Sequence, residues 1–175
     1  MLSRILGVFK LDANTFEEIE HDQGATGQAA LVVVIVALLG GLGNAAFSAV
    51  SSGDFLSGVL AFFGTLVIVL VCWLIWSGVI YLVGTNLFGG TADMGEMLRV
   101  VGFAYAPQAL SIIPCIGWFL GMIWTIAALY VAVKQGLDID GGKAIGTILI
   151  GWVLSLVLYC CLWPIVGGFL GGLTG

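Results

Sequence analysis

MLRVVGFAYAPQALSIIPCIGWF, residues Met97–Phe119, decides how this chain is read. It is apolar enough for lipid, yet it holds Arg99, Gln108 and the helix breakers Pro107 and Pro114. Arg99 is expected at the cytoplasmic mouth of a membrane segment, its stem letting the guanidinium reach the headgroups. There it acts as a topology determinant or as a contact for a lipid phosphate or a partner's acid. Pro107 lacks the N–H that would bond the Phe103 carbonyl, so a kink is expected there, with a carbonyl that a neighbouring donor must satisfy. Tyr105 and Gln108, three residues apart, share a helix face and can reach a second helix. Pro114 ends the segment at a tight turn, making the stretch half of a kinked hairpin.

The surrounding composition fixes the class. Of 175 residues, 61% are hydrophobic and 9% charged, and the mean hydropathy is +1.17. A soluble domain carries roughly 25% charged residues, because its surface must be hydrated. The predicted fold is therefore all-α: a polytopic integral membrane protein, one domain over residues 1–175, with five transmembrane helices and a short N-terminal amphipathic arm. The spans are expected at about 28–50, 55–83, 98–113, 116–133 and 144–169, separated by the few charged residues.

Arg4, Lys10, Arg99, Lys134 and Lys143 all fall on one side of a five-span layout, which the positive-inside rule places in the cytoplasm. The N-terminus is then inside and the C-terminus outside. The formal charge of −5 and the lack of a basic patch exclude nucleic acid as a partner. The arm, residues 1–25, is not expected to be a signal peptide, since Lys10 and Asp12 break its apolar run. Asn14 followed by Glu17 signals a helix start, with Leu6, Phe9, Phe16 and Ile19 as anchors in the headgroup region. Such a helix either orients the first span or docks a partner.

Crossing by the third span needs justification. Its 98–113 stretch, as α-helix, reaches about 24 Å against a hydrocarbon core of about 30 Å. Local thinning of the bilayer costs fractions of a kcal/mol per Å, whereas an irregular turn exposed at mid-depth costs several per unsatisfied backbone group. A crossing hairpin is the expectation, with Pro114 and Cys115 just under the outer headgroups.

No catalytic or cofactor chemistry emerges. The single histidine, His21, sits in the arm, so no nucleophile–histidine pair forms at membrane depth. Cys72, Cys115, Cys160 and Cys161 lack zinc-site spacing and are read as small apolar residues. Asp138–Gly142 begins like a calcium loop, but Leu149 stands where the bidentate Glu belongs. No metal, cofactor or catalytic residue is assigned.

The spans do carry small-residue rows: Ala37, Gly41, Ala45 and Ala49, beside Gly40, Asn44, Ser48 and Ser52. Such rows let helix backbones approach closely, within one chain or in a homo- or hetero-oligomer. Asn44, Thr65 and Gln108 lie at similar depth, about two-thirds of the way to the outer face. Gln108 is expected to meet Asn44 or Thr65 and to help satisfy the carbonyl freed by Pro107.

Arg99-Val100-Val101-Gly102-Phe103-Ala104-Tyr105-Ala106-Pro107 resembles the third-span signature of the Yip domain family, the Ypt/Rab-interacting membrane proteins. Tyr130 to Leu137 with Lys143-Ala144 is similar to the family's link between spans four and five, and Gly7 to Ile19 resembles the start of prokaryotic members, with Ala13 where they often have proline. The resemblance implies five spans, a cytosolic N-terminus and, for a chain this short, a prokaryotic plasma membrane. Eukaryotic members act in vesicle traffic, bind small GTPases and usually carry a much longer arm; the short arm here leaves little surface for a GTPase. The expected function is a non-enzymatic membrane adaptor or organiser, with a small channel or transporter for ions or solutes as the alternative.

Overall fold

The computed structural model describes the backbone of residues 1–113 and 116–174 and the side chains of residues 1–113 and 116–157. All regular structure among these is helical. Two short helices, α1 (Leu2–Phe9) and α2 (Ala13–His21), form the arm. Then come α3 (Ala25–Ser52), α4 (Phe55–Phe88), α5 (Met94–Ala104), a 3-10 helix (Ala106–Ile112), α6 (Ile116–Gly136) and α7 (Gly141–Thr174). The expected turn at Pro114 and Cys115 lies outside the described residues, as do the side chains of Cys160 and Cys161.

Seven α-helices and one 3-10 helix are described where five spans and a single arm helix are expected from sequence. α3, α4 and α6 are each long and apolar enough to cross a bilayer, and the described side chains of α7 continue the apolar pattern through Val157. The chain is a multi-pass helical membrane protein, its long helices studded with exposed apolar residues such as Val67 on α4 and Val153 on α7.

The predicted third span is not one helix. α5 stops at Ala104, and from Pro107 onward the backbone tightens into i→i+3 bonding, with the Gln108 N–H donating to the Tyr105 carbonyl at 2.9 Å. Proline causes this, having no N–H for the i→i−4 ladder. The tightening lengthens the segment instead of shortening it. A rise of about 2.0 Å per residue in place of about 1.5 Å adds about 4 Å over the 7 residues of the 3-10 helix.

Polar caps mark the ends. Asp54 accepts from the Leu56 and Ser57 N–H groups at 3.1 and 3.0 Å, starting α4 directly after Gly53, whose φ of +67° closes α3. Asp93 and Glu96 form a reciprocal capping box on α5 at 2.7 and 2.6 Å. The α2 cap is Asp12, not Asn14: its carboxylate takes the Asn14 N–H and the Thr15 hydroxyl.

The arm is folded onto the bundle, against expectation. Phe16 and Ile19 are fully buried beside Val8, Met97, Val100 and Val133, not lying in headgroups. α1 returns antiparallel to α2, with Arg4 donating to Glu18 at 2.8 Å and Asp22 at 2.7 Å. The Arg4 guanidinium holds the Asp22 carboxyl below the usual carboxylate range. Leu2 and Leu6 stay exposed, and the Phe9 carbonyl accepts the Trp124 indole N–H at 2.9 Å.

Candidate functional site

Two polar constellations stand out from this apolar frame. The first joins the arm to the bundle. Arg99 does not reach solvent or headgroups: it is 6% exposed, and its Nε and Nη2 donate to the Glu20 carbonyl at 3.0 and 2.5 Å. That carbonyl lies in the last turn of α2, where helix carbonyls lack intrahelical partners and a cation is favoured. Gln135 adds a bond from α6 to Glu17 at 2.7 Å.

Glu20 itself is 5% exposed, and its Oε2 has no hydrogen-bond partner among the described residues. Burial, then repulsion from Asp138, raises its pKa to about 7, with Glu96 and Glu17 adding to the rise and His21 opposing it. The folded state therefore holds a proton that the unfolded chain, with a value near 4.5, releases. The Glu20 contribution to stability is full below about pH 4.5, is lost as pH rises toward about 7, and then levels off. The loss is expected at no more than about 2 kcal/mol, once screening by nearby water is allowed for. Thermal unfolding in detergent from pH 4 to 8 checks this. Glu20→Gln should flatten the profile; a wild-type profile that rises with pH would refute the assignment.

The second constellation is a cavity of about 500 Å³ between α3, α4, the 3-10 helix and α6. Asn44, Thr65, Gln108 and Ser111 supply its polar groups, and Val36, Phe47, Val69 and Trp118 most of its apolar wall. Asn44 Nδ2 donates to the Thr65 hydroxyl at 3.0 Å, which in turn donates to the Ala61 carbonyl at 2.7 Å. Gln108 Oε1 accepts from Thr125 at 3.4 Å. Gln108 thus shares a cavity with Asn44 and Thr65 but bonds Thr125 instead of either. Among the described residues it makes no bond to the carbonyl freed by Pro107.

Other sequence candidates serve packing. Gly41 lies against Phe62 of α4, where an added Cβ would meet the ring at 3.1 Å. Ala45 and Ala49 face Gly58, so this row packs α3 on α4 of the same chain. Tyr105 packs partly buried against the core. Sequence reasoning missed Glu20 and Trp73, whose indole donates to the Leu98 carbonyl at 3.2 Å; nothing local to either residue signals its burial. The α5 capping box was legible as Asp-x-x-Glu.

Residues 6–169 match the family profile of the Yip1 domain. The chain belongs to the Yip1 domain family. Proteins of this family are non-enzymatic membrane proteins, and the matched range takes in the α2–α5 junction, the cavity and most of α7. No curated protein and no solved structure matches the chain.

Proposed function

We propose that this Yip1-domain protein is a membrane adaptor or organiser, acting through a cytosolic cap held rigidly on its transmembrane bundle. The observation that carries the reading is the continuous buried core from the arm into the bundle: Phe16 and Ile19 of α2, Met97, Val100 and Phe103 of α5, and Val133 of α6. A channel needs a path along its axis. Here fully buried apolar side chains, Val33, Val101 and Ala104 among them, fill the half of the bundle that adjoins the arm. In this reading five segments cross, α5 and the 3-10 helix together forming the third. The N-terminus is cytosolic, in the plasma membrane of a prokaryote, and the cap presents Glu17, Glu18, Glu96 and Asp138 to partners.

Two measurements test it. Purified protein in liposomes should pass ions and small solutes no faster than empty vesicles. A photo-crosslinker at Glu17, used in intact cells, should capture a discrete protein partner, and the capture should drop when the cap is detached. Protein-dependent flux without any crosslinked partner would transfer the reading to a channel or transporter.

A further inference from the structure

The cavity between α3, α4, the 3-10 helix and α6 has an unbalanced hydrogen-bonding inventory. The Thr65 hydroxyl gives its proton to the Ala61 carbonyl, so its oxygen must accept, which fixes the Asn44 amide with nitrogen toward Thr65. Asn44 keeps one further N–H. Gln108 spends its oxygen on Thr125 and keeps both N–H donors of its amide. Ser111 adds a hydroxyl with no partner among the described residues. Against these four N–H and O–H donors stand two unbonded side-chain oxygens among the described residues, the Asn44 Oδ1 and the Ser111 Oγ, so donors remain in excess. Open donors in a low-dielectric site attract acceptors.

Among the described residues no ionisable side chain lines the cavity, so a phosphate or carboxylate would enter without a counter-charge, at high cost. The missing acceptor is therefore uncharged. Access is lateral. Phe47 and Trp118, 64% and 54% exposed, stand at the cavity as apolar surface turned to the surroundings of the bundle. Toward the arm the way is shut, where Gly102 of α5 packs on Ala29 and Trp73. A volume near 500 Å³ lies within the range of small-molecule sites, and mostly apolar walls suit alkyl chain next to the acceptor. An uncharged, acceptor-only group flanked by alkyl chain and delivered from the side is the ester linkage of a glycerolipid.

We infer that this cavity is a lateral binding site for the acyl ester region of a bilayer glycerolipid, with Gln108 and Asn44 donating to its ester carbonyls. The adaptor reading is not needed for it.

The test uses the full chain and two probes with the same oleyl-length chains and the same phosphocholine headgroup, one diester-linked and one diether-linked. Protein is reconstituted into vesicles holding equal amounts of both, extracted into mild detergent, and the retained lipid is identified by native mass spectrometry. The diester is expected to be enriched about tenfold, which at 1.4 kcal/mol per decade matches two intramembrane hydrogen bonds of ordinary strength. Gln108→Leu should bring the ratio near one, whereas Ala46→Leu, in the separate apolar cavity between α3 and α4, should leave it unchanged. Equal retention of both lipids by the wild type overturns the inference without recourse to any variant. So does a protein that carries no bound lipid, its cavity then holding water only. If Gln108→Leu unfolds, the wild-type ratio alone decides.

Discussion

Replacing Arg99 with Met is expected to loosen the arm from the bundle while leaving the chain inserted in the membrane. The guanidinium is almost fully buried and places two donors on one carbonyl, that of Glu20. A hydrogen bond with one charged partner contributes about 1.5–3 kcal/mol, and a buried carbonyl left unpaired costs about 1–3 kcal/mol more. A net loss of about 3 kcal/mol raises the open population of α2 by more than about a hundredfold. Amide hydrogen exchange reads this without a further mutation: α2 amides should exchange about a hundred times faster in Arg99→Met, while those of α4 keep their protection. Arg99→Lys should fall between, because an ammonium keeps the charge but cannot reproduce the guanidinium's planar fork. If α2 protection is unchanged in Arg99→Met, the residue serves membrane topology alone, and an inverted orientation of the chain would be the sign.

The same residue marks where sequence reading stops. An isolated arginine at the edge of an apolar run looks alike whether it snorkels to water or caps a folded-back helix, since both need only a long stem and an acceptor. Phe16 and Ile19 carry the same ambiguity. Their spacing declares an apolar helical face, but lipid and protein reward that face equally, and nothing local says which one covers it. The partners that decide it, Met97, Val100 and Val133, stand some 80 and more positions away.

Where a signal is local, the reading holds. Charges and Gly-Asp or Gly-Gly breaks delimit α3, the starts of α4 and α7 and the end of α6 because ionised groups are costly in hydrocarbon at any depth. The α4 boundary shows the limit of this. Thr85 and Asn86 look like a polar exit after Val83, yet their side chains bond back to the Tyr81 and Leu82 carbonyls at 2.7 and 2.8 Å. The helix runs on to Phe88 and stops at Gly89, whose φ is +71°. Polar residues that satisfy themselves on their own helix do not end it. Pro107 was legible as a break, but not as a 3-10 segment, because proline removes a bond without dictating which replaces it. For the cavity, three of its four polar residues could be placed at one depth from span positions alone. Ser111 went unnoticed because its helix type, and so the face it presents, depends on that replacement.

Gly102 should tolerate enlargement only when Ala29 is made smaller. A Cβ built at Gly102 lies 2.9 Å from the Ala29 Cβ and 3.1 Å from the Trp73 indole nitrogen, so α3, α4 and α5 meet at this one hydrogen atom. Trp73 cannot withdraw freely, since its N–H is bonded to the Leu98 carbonyl, one turn earlier in α5. Two terms oppose each other in Gly102→Ala. Helix propensity favours alanine by about 1 kcal/mol, and overpacking costs about 1–3 kcal/mol; the contact below 3.0 Å decides for destabilisation. Gly102→Val adds two methyls and a stiff rotamer at the same place, and a loss above about 3 kcal/mol is expected. Thermal unfolding in detergent, followed by tryptophan fluorescence, should rank wild type above Gly102→Ala and that well above Gly102→Val. Ala29→Gly alone weakens α3, yet combined with Gly102→Ala it vacates the atom in conflict. The pair should be more stable than the sum of the single changes predicts by about 1 kcal/mol or more, within the range found for residues in contact. Additive single effects would mean that the two helices part to admit a methyl group, and that the close approach at Gly102 is incidental to the fold.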